Sequence, residues 1–292
     1  MSHNRHHYLP AAFLAAWERA PGPKLTHFSK PNGTVVAGRC AAKSAARELG
    51  LYAYELAPPE QRNALETGAL QRIDNDGAVM HRALLERPGA QLTDEQGSAW
   101  IRFVASLMLR TPKHLRRWRT FAPGALREIV EENEEDTEFH RFASRYIEQG
   151  GPKLESRVTI DAFAHLLEDS AAHQALARSH WFIRDISRAG TDLVISDDPV
   201  LRGGPFDADY LIALPISPTK IFFATNSKAV RAQAARLTDA DVVLWANRDS
   251  AAQSDRYLYA TGPHHGRLAR RCLGQGWLGR AHLARLAGIS EA

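Results

Sequence analysis

Residues 181–186, 192–196, 210–215 and 220–225 are four apolar, β-prone runs set close together in the chain. Arg188-Ala189-Gly190-Thr191 turns the chain after the first run, and Ser217-Pro218-Thr219 joins the last two. Turns this short cannot carry a crossover, so they force neighbouring strands to run antiparallel. A last strand is expected over 256–260. Near the other end, 25–29 and 34–36 flank Lys30-Pro31-Asn32-Gly33, an Asn-Gly hairpin signature.

Between these strand-rich ends the period is helical. Leu65, Ala69, Ile73, Met80 and Leu84 share one side of a predicted helix over 60–86. Thr93 and Gln96 form a capping box ahead of a helix that carries Trp100, Val104 and Leu107 and stops at Pro112. Thr159 is expected to cap an apolar helix containing Phe163, Leu166 and Leu167. Helix signals return at 227–237 and after the capping Thr238. The fold class is therefore α+β: an N-terminal hairpin, a helical middle and a C-terminal, mainly antiparallel sheet. One such domain is expected over residues 1–262, with helices over about 60–178, and a basic helical tail over 263–292.

Composition narrows the class without naming a function. The chain has 292 residues, 44% hydrophobic and 24% charged, which is ordinary for a packed protein. Two cysteines, Cys40 and Cys272, are too few for a disulfide scaffold or a metal knuckle and suit a reducing cytoplasm. No run reaches the roughly 18 apolar residues that span a bilayer. The opening apolar run is short, contains Trp17 and is closed by Glu18 and Arg19, so it does not read as a signal peptide. The expectation is a cytoplasmic protein with no membrane partner. Only 7 of the 37 basic residues are Lys. Arg's planar fork grips phosphate through two hydrogen bonds, which permits a nucleic-acid partner; a coding bias toward Arg explains the excess equally. The acidic run Glu128 to Glu138 is expected to be a solvated face.

Three constellations carry candidate chemistry. In His6-His7-Tyr8-Leu9-Pro10, side chains of an extended segment alternate, so one histidine functions and the other is exposed; the alternative is a histidine that only pins the N-terminal segment by a hydrogen bond. Ser196-Asp197-Asp198-Pro199 follows a buried strand; two acids there suit a divalent metal, and the same residues suit a turn. Asp74, beside Ile73, sits at the border of an apolar stripe, and Arg110-Thr111-Pro112 ends a helix. There is no phosphate-binding Gly-rich loop, no Gly-x-Ser-x-Gly elbow and no His-Glu-x-x-His.

Taken in order, several segments resemble the bacterial domain of unknown function 4238 family. They are His7-Tyr8-Leu9-Pro10-x-x-Phe13-Leu14, Phe28-Ser29-Lys30 with Gly33-Thr34-Val35, Leu51-Tyr52, Ile73-Asp74, Arg110-Thr111-Pro112, Ser196-Asp197-Asp198-Pro199-Val200, Pro215-x-Ser217-Pro218, Asn247 and Arg256-Tyr257. Ala11 and Asp74 depart from its usual Gln and Glu. The resemblance implies no activity, but it singles out His7, Lys30, Asp74, Arg110, Asp197 and Asn247 as site residues. Two readings follow. In one, His7, Asp74 and Asp197 hold Mg²⁺ or Mn²⁺ against a phosphodiester while Lys30 or Arg110 offsets charge. That is a metal-dependent nuclease or phosphodiesterase, of the kind used as a toxin or phage-defence effector. In the other, the same residues form a structural network in a non-enzymatic binding or regulatory module.

Overall fold

The computed structural model describes residues 5–54, 61–89, 91–132, 160–161, 163–167 and 170–276. The chain opens with β1 (Arg5–His7) and a single helical turn, α1 (Ala11–Leu14), which starts on Pro10. β2 (Leu25–Ser29) and β3 (Val36–Cys40) form a hairpin, with the second strand over 36–40 rather than the expected 34–36 because a helical turn at Pro31–Gly33 lengthens the connection. Its tip places Asn32 (φ 53°) and Gly33 (φ 81°) in the left-handed region, which those two residue types tolerate. β4 (Arg47–Leu49) returns antiparallel to β1.

A π-helical turn, Glu66–Leu70, then leads into α2 (Gln71–Glu86). α3 (Asp94–Leu109) begins at the Thr93–Gln96 capping box, with both reciprocal bonds made. α4 (Pro112–Glu132) and α5 (Ala171–Ala177) complete the helical middle. The rest is β5 (His180–Asp185), β6 (Ile195–Ser196), β7 (Leu201–Gly203), β8 (Leu211–Ser217), β9 (Lys220–Thr225), α6 (Lys228–Arg236), α7 (Asp239–Gln253), β10 (Tyr257–Ala260) and α8 (Gly266–Cys272).

Every strand pair is antiparallel, as the short turns require. The strands form a β1–β4 pair, a sheet ordered β3-β2-β10-β6 and a sheet ordered β5-β9-β8-β7. β10 thus draws the C-terminal segment between the N-terminal hairpin and β6. The main core joins α1, α2, α3 and the inner faces of the sheets, with Phe13, Trp17, Trp100, Phe103 and Phe222 almost fully buried. Trp17 Nε1 donates to the Leu193 carbonyl at 2.8 Å, tying the first turn to the C-terminal half.

Two further local expectations need correction. The run 192–196 was expected to be a strand, but only Ile195–Ser196 pairs. Leu193 N–H donates to the Pro218 carbonyl and Val194 N–H to Asn247 Oδ1, so a loop and a side chain take the donors a strand would need. The 60–86 helix is described from Ala64 and includes the π turn. The Thr159 cap lies outside the described residues, as does most of the acidic run Glu128 to Glu138; α4 reaches Glu132. Ala269 and Leu273 pack with Phe28 and Leu258, while Arg267, Arg270 and Arg271 stay exposed. Among the described residues no helix is long and apolar enough to cross a membrane.

Candidate functional site

β1 sorts its two histidines by alternation. His6 is fully buried, its ring stacked on Tyr52. Its Nδ1 accepts from the Tyr52 amide at 2.9 Å and its Nε2 faces Asn63 Oδ1 at 2.9 Å. An amide oxygen only accepts, so Nε2 carries the proton and His6 is a neutral pin. His7 points the other way and is half-exposed. Its register partner on β4 is Arg47, and directly opposed residues share a face, so the outer face of this pair presents His7 and Arg47 with Arg5 two residues before.

His7 is bonded to the helical layer. Its backbone N–H donates to Glu66 Oε1 at 3.1 Å. Its ring Nε2 lies 3.3 Å from the Lys43 carbonyl, which makes Nε2 the donor and leaves Nδ1 an acceptor without a partner among the described residues. Burial lowers the pKa of His7; Arg47 and Arg110 add to the fall, while the Lys43 carbonyl and Asp74 oppose it. The ring is therefore neutral near pH 7.

The π turn brings Glu66 here. Eight residues separate Glu66 from Asp74, which in a regular α-helix places them about 80° apart. A π turn absorbs one extra residue. The spacing then behaves as seven, two full turns, and both acids reach the same site. Glu66 Oε2 is buried with no partner among the described residues. Burial pushes Glu66 up to about 7, against the pull of the His7 amide and Arg110. The folded chain thus holds this proton more tightly than the unfolded chain does. That stability is present in full below the ordinary value of 4.5 and is lost as pH rises through about 7. Glu66→Gln is expected to flatten the fall in urea midpoint between pH 5 and 8; an unchanged slope would show that Glu66 titrates normally.

Arg110 forms the floor of the cluster. It is 0% exposed and ends α3, where Pro112 starts the next helix. Its Nη1 donates to Asp74 Oδ1 at 2.5 Å, and its carbonyl accepts from the buried Tyr52 hydroxyl. Its Nε and Nη2 are buried and unclaimed among the described residues. Asp74, 24% exposed, and half-exposed His7 form the solvent side.

The structure joins His7, Asp74 and Arg110 from the predicted site, and leaves the other three elsewhere. Asp197 is almost fully buried: Oδ1 accepts from the Asp255 amide at 2.8 Å, and Oδ2 from the Arg256 and Tyr257 amides at 2.7 and 2.9 Å. Burial pushes its pKa up to about 7, while these three amides pull it down. Its carboxylate pins β6 to the start of β10. Asn247 clamps residues 192–194 to α7, accepting from the Val194 amide and donating to the Asp192 carbonyl. Lys30 is exposed at the hairpin tip and makes no ion pair with the cluster.

The expected ligand set of His7, Asp74 and Asp197 is therefore not assembled, because Asp197 spends both oxygens on backbone. Among the described residues no three His, Cys, Asp or Glu side chains converge as metal ligands. Asp198 instead meets Lys113 Nζ at 3.2 Å and His114 Nε2 at 3.5 Å, lining a separate cavity of about 310 Å³.

Sequence reasoning missed Glu66, Arg47 and the burial of His6. The π turn hides Glu66, since regular helical geometry sets residues eight apart about 80° from one another and nothing local signals the extra residue. The β1–β4 register hides Arg47. Alternation does send the two histidines to opposite sides, but the partner of His7, expected to be exposed, is sealed: His6 is fully buried.

No curated protein and no solved structure matches the chain. The family profile described as "Protein of unknown function (DUF4238)" matches residues 5–263. That match takes in β1, the cluster, both four-stranded sheets and β10, and the chain belongs to the DUF4238 family.

Proposed function

We propose that the chain cleaves phosphodiesters of nucleic acid by side-chain acid–base chemistry at the His7–Glu66–Asp74–Arg110 cluster. Arg110 carries this reading. A fully buried guanidinium with two unclaimed N–H groups costs about 1–3 kcal/mol per orphaned donor. Asp74 takes one edge of the fork, and the other matches the paired oxygens of a phosphate. Neutral His7 supplies a base at Nδ1, and Glu66 supplies an acid at Oε2. Arg5 and Arg47 on the outer face suit neighbouring phosphates. The donor set does not fit a three-ligand divalent site, so the reading takes its charge neutralisation from Arg110 rather than from the expected Mg²⁺ or Mn²⁺. A purely structural module accounts for His6, Asp197 and Asn247, but leaves Arg110 Nε and Nη2 and Glu66 Oε2 without partners among the described residues. The free thiols Cys40 and Cys272 suit a cytoplasmic setting.

The test is cleavage of single-stranded RNA and DNA oligonucleotides by the full chain. His7→Ala and Glu66→Gln are each expected to slow cleavage at least ~10²-fold while the unfolding midpoint at pH 7 stays near that of wild type. No cleavage of either polymer, or cleavage indifferent to both substitutions, rejects the reading. The base must be neutral and the acid protonated. The rate should therefore rise with pH as His7 loses its proton, below its ordinary 6.5, and fall as Glu66 ionises near 7. A rate that climbs steadily to pH 9 would remove Glu66 as the acid.

A further inference from the structure

We infer that two adjoining cavities between α4 and β7 bind an aromatic carboxylate, its carboxylate on Arg202 and its rings against Trp118 and Phe163. The inference does not depend on the phosphodiesterase reading. His114, Arg117, Trp118 and Phe121 are spaced i, i+3, i+4 and i+7, so they share one face of α4. With Leu109, Phe163 and Leu166 they line a cavity of about 400 Å³. Trp118 is half-buried and Phe121 is 63% exposed, with their ring centroids 6.3 Å apart, so this cavity opens past an aromatic side chain.

The cavity of about 310 Å³ beside Asp198 shares Leu109, His114 and Leu166 with it as walls. Asp198, Arg202 and Gln253 give this second cavity its polar side, next to Val200 and Phe206. Mostly apolar walls with a few convergent polar groups, at volumes of this order, are the make-up of a small-molecule site. The aromatic walls favour flat rings, which stack or pack edge-on against Trp118 and Phe163.

Charge selects the head group. Burial pushes the Asp198 carboxyl up, but hydrogen bonds and charge from His114 and Lys113 hold it below the ordinary carboxylate range. It is therefore ionised near neutral pH, with Lys113 Nζ at 3.2 Å and His114 Nε2 at 3.5 Å. A cationic ligand would have to compete with both for one carboxylate. Arg117 and Arg202 bring further positive charge to the walls, which favours an anion. The Arg202 guanidinium carbon lies 4.7 Å from the centre of the Phe206 ring. Stacking uses a face of the guanidinium and not its in-plane donors, and those donors match the two oxygens of a carboxylate.

Calorimetric titration of the full chain with naphthoate, naphthamide and naphthylmethylammonium keeps the ring system and changes the head charge. The carboxylate is expected to bind with Kd below about 1 mM and at least ~10-fold more tightly than the amide, with the ammonium weakest. Arg202→Gln should bring the carboxylate down to the amide's affinity and leave amide binding unchanged, which also shows that the variant is folded. Leu166→Trp adds bulk at a wall common to both cavities and should weaken carboxylate and amide alike. No binding of the carboxylate at that concentration, equal affinity for all three probes, or tightest binding of the ammonium would each overturn the inference, and wild type alone reads these outcomes. A carboxylate preference that survives Arg202→Gln, or binding indifferent to Leu166→Trp, would put the ligand elsewhere on the chain and overturn it as well.

Discussion

Gly77→Ala is expected to cost about 3 kcal/mol or more of stability by urea denaturation, against the helix-propensity trend. Gly77 lies inside α2, where replacing Gly by Ala ordinarily gains about 1 kcal/mol. Here α2 packs against α3, and a β-carbon would lie 2.0 Å from Phe103 Cδ2 and 2.5 Å from its Cγ. Carbon atoms rest about 3.5–4.0 Å apart, so the ring or the helix must move by more than an ångström. The ring has nowhere to go. It is 1% exposed, stacked on Trp100, edge-on to Phe13, and lies 5.9 Å from the Arg110 guanidinium carbon. A shift of Phe103 would also move the floor of the candidate site, so cleavage should fall with stability. Phe103→Leu in the Gly77→Ala background opens space and should recover part of the loss, a coupling that a double-mutant cycle reads directly. A Gly77→Ala variant as stable as wild type would mean that α2 and α3 do not approach so closely.

What was legible in the sequence follows from how local each signal is. The turn at Asn32-Gly33, the capping box at Thr93, the cap at Thr238 and the β8–β9 turn depend on residues a few positions apart, and each forms where expected, although β3 runs over 36–40 rather than 34–36. The run 192–196 misled because its hydrophobicity is real but its backbone partners lie at Pro218 and Asn247, and nothing local states that. The site divides the same way. His7, Asp74 and Arg110 stand out by chemistry and by family resemblance. Their meeting needs β1 to pair with β4 and a π turn to rotate Glu66, and neither event has a repeat pattern in the sequence. Asp197 shows the converse. An acid after a buried strand looks catalytic or turn-forming alike, and the amides of Asp255, Arg256 and Tyr257, nearly 60 positions away, decide which it is.

Those three amides set the second large effect. Asp197→Ala should lower stability by about 3 kcal/mol, since each hydrogen bond contributes about 0.5–1.5 kcal/mol net, more to a charged acceptor, and three part-buried ones are lost at once. Asn caps helices about as well as Asp when one oxygen accepts, which on sequence grounds makes Asp197→Asn nearly silent. The geometry removes that expectation. Both carboxylate oxygens accept, so Asn turns one acceptor into an NH₂ group facing either the Asp255 amide or the pair from Arg256 and Tyr257. Keeping its oxygen toward the pair, Asn sets donor against donor at Asp255 and should cost about 2 kcal/mol, between wild type and Ala. Cleavage per folded molecule should survive both substitutions, because Asp197 holds β6 to β10 and does not touch the His7 cluster. Thermal melts with and without Mn²⁺ separate this role from metal binding. A ligand that binds only the folded state raises the melting temperature. A rise with Mn²⁺ in wild type that disappears in Asp197→Asn would make Asp197 a metal ligand and overturn its assignment as a backbone clamp. A loss of stability in the order Asn then Ala, the same at every Mn²⁺ concentration, is the result that three backbone bonds require.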